Sequence, residues 1–156
     1  MFHPFKAGKF FFILPILVLI TGLSPKAFNP IPPAYSHEVE ISGDVAATFH
    51  IEPNHNPKAG QLTQAWFALT RKGGAIIPLN QCNCQLAVYS LPRRPNVQPI
   101  LKPALKSINA ENYKGIPGAE ITFPKAGAYE LEINGTAKAG ANFQPFKLTF
   151  EVNVSK

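Results

Sequence analysis

Phe146-Lys147-Leu148-Thr149-Phe150-Glu151-Val152-Asn153-Val154 is the stretch that decides the fold. Its apolar residues recur at every second position, the period of a strand with one buried face and one wet face; a helix would scatter them around its axis. Val45-Ala46-Ala47-Thr48-Phe49-His50-Ile51 repeats the pattern with Val45, Ala47, Phe49 and Ile51 on one side. Working outward, further strands are expected at 38–42, 62–70, 75–79, 84–89, 119–123 and 129–134. Breaks rich in Gly and Pro separate them, such as Asn56-Pro57-Lys58-Ala59-Gly60 and Arg71-Lys72-Gly73-Gly74. A short helical turn is expected within 104–112, and no segment sustains a 3.6-residue period. About seven to eight short strands in a chain of this size imply an all-β sandwich.

Phe123-Pro124-Lys125-Ala126-Gly127-Ala128-Tyr129-Glu130-Leu131 narrows that sandwich. Tyr129 follows a turn and precedes an inward position by two residues, as does the tyrosine that hydrogen-bonds back across the corner of an immunoglobulin-like sandwich. On this reading Leu131 points inward and packs on Trp66, the single tryptophan, while Phe49 stands where the usual inter-sheet cysteine would be. Together with Pro57-Lys58-Ala59-Gly60, this run resembles small exported Ig-like domains of the YtkA-like and CopC-type copper-binding group. The resemblance covers most of 37–154 in pattern. It implies the immunoglobulin-like fold, and for function it implies copper held by a mature N-terminal histidine, which falls on His37. The CopC-type Asp-x-His near the chain's end has no match here, because Asp44 is the only aspartate and no histidine follows His55. Its methionine-rich Cu(I) site has none either, since Met1 is the only methionine.

The first 36 residues read as a secretory signal peptide. Lys6 and Lys9 precede an apolar run at 10–23, and Ala34-Tyr35-Ser36 places small residues where an export peptidase reads them. The run holds 14 residues with Pro15 inside it, short of the roughly 20 that span a bilayer. Cleavage after Ser36 would give His37 a free α-amine; an uncleaved leader would instead be a membrane anchor and leave His37 without one. The expected compartment is periplasmic, lumenal or extracellular. Residues 37–156 are expected to form one domain. The formal charge of +6 drops to +3 when Lys6, Lys9 and Lys26 leave with the leader, and the remaining cations form no stripe, which argues against a nucleic-acid surface.

The candidate ligands are His37, His50, His55, Cys82 and Cys84. An N-terminal histidine offers amine and imidazole as a chelate, and a further imidazole completes a nitrogen set suited to Cu(II). His50 faces away from Phe49 and Ile51, and His55 lies in the polar loop Glu52-Pro53-Asn54-His55-Asn56-Pro57; the plain alternative is that both are ordinary surface histidines. Cys82-Asn83-Cys84 admits three outcomes: a disulfide, two thiolates on a soft metal such as Cu(I), or buried thiols. In Leu91-Pro92-Arg93-Arg94-Pro95, the arginines either meet an acidic partner or ride on a crossover between sheets.

Catalysis finds little support. A Ser-His-Asp constellation would need Asp44, the single aspartate, close to His50 beside an activated serine; no nucleophile elbow is present, and no Gly-rich phosphate loop occurs. The expectation is an exported, monomeric, non-catalytic protein that binds copper through His37. The alternative is an accessory module that docks on an envelope protein without metal, and a thiol-redox role at Cys82 and Cys84 is a third idea.

Overall fold

The computed structural model describes residues 37–156, and the leader expected at 1–36 lies outside the described residues. The elements run β1 (Glu38–Ser42), β2 (Val45–Ile51), β3 (Leu62–Arg71), a 3-10 turn at Leu79–Gln81, β4 (Cys82–Ser90), β5 (Lys106–Ala110), β6 (Tyr113–Thr122), β7 (Gly127–Ala137) and β8 (Phe146–Val154). They form two antiparallel sheets, one of five strands in the order β1-β2-β3-β6-β5 and one of three in the order β4-β7-β8. The chain is therefore a β-sandwich.

Sequence alternation becomes burial directly. In β8 the five apolar positions are buried and the four polar ones exposed. In β2 Val45, Ala47, Phe49 and Ile51 are buried. Phe49 and Phe67 from one sheet meet Phe150 from the other, with ring centroids 4.8 to 5.8 Å apart. Each such ring contributes about 1.5–3 kcal/mol by leaving water. The corner forms as expected: Tyr129, 1% exposed, donates its hydroxyl to the Lys125 carbonyl at 2.7 Å, and Leu131 is fully buried.

Three expectations need correction. Residues 75–79 are not a strand; only an isolated bridge joins Thr70 to Ile76. Gly73 and Gly74, at φ +98° and +86°, turn the chain sharply, and Pro78 has no N–H with which to extend a ladder. Ile77 still fills the core, which is what its apolarity recorded. Within 104–112 the chain forms β5 and then a two-residue turn at Glu111-Asn112, where β-pairing replaces the expected helical turn.

Trp66 is the third correction. It does not pack on Leu131, because neighbouring residues of β3 alternate: Ala65, Phe67 and Leu69 enter the main core, whereas Trp66 and Ala68 point out of the sandwich. They are covered there by the β5–β6 hairpin. β6 pairs with β3 from Gly118 to Thr122 and, from Tyr113 to Gly118, with β5. Pro117, without an N–H, marks the departure from β3. Beyond it the hairpin lays Ile116 on Trp66 and Ala68, with Ile108, Ala110 and Tyr113 packed around them. The fit is close at Gly118, where an added Cβ would lie 2.5 Å from the Ile108 Cδ1 atom.

Candidate metal centre

The three histidines of the described residues converge at one end of the five-stranded sheet. His50 and Trp66 are cross-strand partners on β2 and β3. Their rings stack 5.0 Å apart at 20°. His37 immediately precedes β1, whose ladder opens with Glu38 opposite Phe49, so the chain enters beside His50. Its ring lies 5.4 Å from that of His50 and 5.6 Å from Trp66.

His55 arrives by a turn. Its N–H donates to the Ile51 carbonyl at 2.8 Å, and the Asn56 N–H donates to the Pro53 carbonyl at 2.9 Å. Asn54 and His55 both adopt left-handed backbone at φ 50° and 56°, a conformation Asn and His accept more readily than bulky residues do. The Thr63 hydroxyl donates to the Glu52 carbonyl and ties the turn to β3. The His55 ring is thereby folded back to 4.5 Å from His50, nearly perpendicular to it, and 6.4 Å from His37.

Glu111 completes the group, and sequence reasoning did not single it out. From the tip of the β5–β6 hairpin its Oε1 stands 3.4 Å from His37 Nε2. One ligand atom each from His37, His50 and Glu111 fall within 4.8 Å of one another. Donors bound at ~2.0–2.1 Å to one ion stand roughly 3.0–4.2 Å apart, so the spread of these three is close to what a shared ion requires; His55 lies beside this group and not within it.

The electrostatics keep the rings available. His50 Nδ1 and His55 Nε2 are buried and have no hydrogen-bond partner. Leaving a buried polar atom unpaired costs about 1–3 kcal/mol. Burial first, and the neighbouring His37 second, push the His50 pKa below its ordinary value; the Glu111 and Glu52 carboxylates pull the other way without prevailing. His55 is lowered too, by burial and then by His50 and His37. Both imidazoles are thus held toward the neutral form, the form that carries a lone pair for a cation.

The other sequence candidates lie elsewhere. Cys82 and Cys84 are joined in a disulfide at the start of β4, in the opposite sheet, with their Cα atoms 5.1 Å apart. The strand contracts there from the nearly 7 Å of a fully extended i to i+2 pair. Bonded sulfurs are not thiolates, so of the three outcomes the pair takes the first, and as it stands it is not a metal ligand set. Arg93 does not reach outward for a partner. It packs 3.4 Å over the Tyr89 ring and pairs with Glu130 and, at 2.8 Å, with Glu132 on β7. Arg94 stays exposed.

Comparison with known proteins adds the fold and stops there. No family model matches the chain, and no curated protein does. The chain is similar in structure to a DUF4426 family protein from Pseudomonas aeruginosa PAO1, with a TM-score of 0.50 and 12% sequence identity over 77% of this chain and 97% of that one. This places the chain with small β-sandwiches. The likeness does not extend to the YtkA-like and CopC-type group in particular.

Proposed function

We propose that the chain is an exported, non-catalytic binding protein that holds a transition-metal ion, copper foremost, between His37, His50 and His55. The observation that carries this reading is the convergence of three imidazoles in which two buried ring nitrogens lack any partner. Ordinary surface histidines are hydrated; these are stacked against one another and against Trp66. A neutral nitrogen-rich set suits Cu(II), and cleavage after Ser36 would add the His37 amine to it. The CopC-type resemblance agrees on His37, while His50 and His55 stand in for the family's distant Asp-x-His.

The test is a Cu(II) titration followed by the fluorescence of Trp66, the single tryptophan, which lies against His50. A one-to-one complex that quenches Trp66 is expected, with affinity falling about 100-fold or more in His50→Ala, a loss of about 2.7 kcal/mol. Quenching that does not saturate, or affinity indifferent to His37→Ala, His50→Ala and His55→Ala alike, would overturn the reading. Mass measurement of the exported chain fixes whether it begins at His37.

A second reading, an envelope interaction module, draws on edge strand β1, where Val39 and Ile41 are 54% and 73% exposed. Strand addition at such an edge is a recognised docking mode. Retention of an envelope partner by metal-free protein, lost in Ile41→Lys, would favour it.

A further inference from the structure

β1 and β5 are the two edge strands of the five-stranded sheet, separated by three others. At roughly 4.8 Å per strand, residues flanking them would stand almost 20 Å apart in a flat sheet. Yet His37, which leads into β1, and Glu111, which follows β5, are 3.4 Å apart. The contact exists because the β5–β6 hairpin leaves β3 at Pro117 and lies across Trp66, carrying its tip to the histidines. The hairpin is thus an arm whose last residue is a carboxylate aimed at a group of imidazoles.

We propose that the centre is a side-chain site for a divalent transition ion, closed by Glu111 as its carboxylate ligand, so that ion binding seats the hairpin and does not require the α-amine of His37. This rests on the metal-binding reading above and deepens it. Ligand atoms of His37, His50 and Glu111 lie within 4.8 Å of one another, and with the neighbouring His55 ring they offer nitrogen and oxygen donors without sulfur, a set that suits divalent copper and zinc and lacks the thiolate and thioether donors that favour monovalent copper. The carboxylate supplies a negative charge that imidazole ligands do not. It also draws three separate segments onto one ion: the lead into β1, β2 with the turn that follows it, and the tip of the hairpin. The site therefore works in a chain that keeps its leader as well as in one that has lost it.

The experiment uses Cu(II) and, separately, Zn(II) on the exported chain, on Glu111→Gln, on Glu120→Gln as a control, and on a form that retains Tyr35-Ser36 ahead of His37 so that its nitrogen is an amide. Glu111 is 48% exposed and glutamine matches its shape, so the variant keeps the fold. Affinity for each ion and amide hydrogen exchange across 108–116 are measured. The expected result is that Glu111→Gln weakens both ions by about tenfold or more, equivalent to about 1.4 kcal/mol. Metal slows exchange across 108–116 in the unmodified chain and in Glu120→Gln but not in Glu111→Gln, and the extended form binds within about threefold of the unmodified one. Binding that ignores Glu111→Gln and is destroyed by the extension would overturn this proposal and leave an amine chelate, with the metal reading intact. No saturable binding by any form would overturn the metal reading itself.

Discussion

The outer faces of the two sheets each carry a cluster of ionisable side chains, and the clusters are resolved in opposite ways. On the three-stranded sheet Arg93, delivered by the Pro-rich connection, pairs with Glu130 and Glu132 of β7, while Lys147 of β8 reaches Glu132 at 3.1 Å. Glu132 is 6% exposed, and burial alone would raise its pKa; the hydrogen bonds from Arg93 and then Lys147 more than offset that and hold it below the ordinary carboxylate range. Those same carboxylates hold the Arg93 pKa above its ordinary value. On the five-stranded sheet the histidines lie equally close together, but two of their ring nitrogens bond to nothing. A satisfied cluster fixes a loop to a sheet. An unsatisfied one has donor capacity left for a ligand, which is why we propose the binding site on the histidine face and read the arginines as architecture.

The comparison breaks most visibly if the histidine face loses its floor. Trp66→Ala removes the ring that His50 stacks on and empties the small cluster beneath the hairpin, and large-to-small changes of this kind cost about 3–5 kcal/mol. Urea denaturation of metal-free protein should register a loss at the lower end of that range, since the cluster is a satellite of the main core. A smaller effect is expected opposite. Arg93→Met keeps much of the packing on Tyr89 but strips Glu132 of its guanidinium, leaving Lys147 as its remaining ion-pair partner. The expected cost is roughly 1–3 kcal/mol, the range for orphaning a buried polar group. Adding Glu132→Gln should recover part of it, and additive losses in the double variant would show that the pair is not coupled.

How much of this was legible beforehand differs between the same two regions. The strands β2 and β8 and the placement of His50 on the outward side of Phe49 follow from period-two alternation, and the Tyr129 corner from a turn leading into a strand, both of which are local signals. His37 and His55 were legible as candidates, and their meeting at His50 follows from neighbouring strands and a short turn. Glu111 was not legible. It joins the group through a hairpin that crosses the sheet, a tertiary event with no local signature, in a stretch whose sequence suggested a helical turn. Trp66 was misplaced for a related reason: the immunoglobulin pattern names a buried tryptophan, but strand phase decides which face it takes, and in β3 the phase of Phe67 puts Trp66 outside. Cys82 and Cys84 show the limit from another side, since a spacing of two permits both bonded and unbonded sulfurs and only the contraction of the strand distinguishes them.

The sharpest separation of the two faces uses protons. Because burial, and then the neighbouring imidazoles, lowers the pKa of His50 and His55 below 6.5, the unfolded chain binds more protons than the folded one just beneath that pH. Their contribution to stability is complete above about 6.5 and is lost as pH falls through the folded values. Glu132, lowered from 4.5, contributes stability that is complete above that value and is lost only as pH falls further. Glu38 runs the other way, raised by burial and then by Glu40, so its effect in the acid limb must be removed by difference. Metal-free protein should therefore lose stability on acidification in two stages, the first starting near pH 6.5 from the histidine face and the second below about 4.5 from the arginine face. Urea midpoints measured against pH check this: His50→Gln with His55→Gln should flatten the upper stage and spare the lower, and Glu132→Gln should do the reverse. An upper stage that persists without both histidines would come from another group, and the contrast between the two faces would vanish with it.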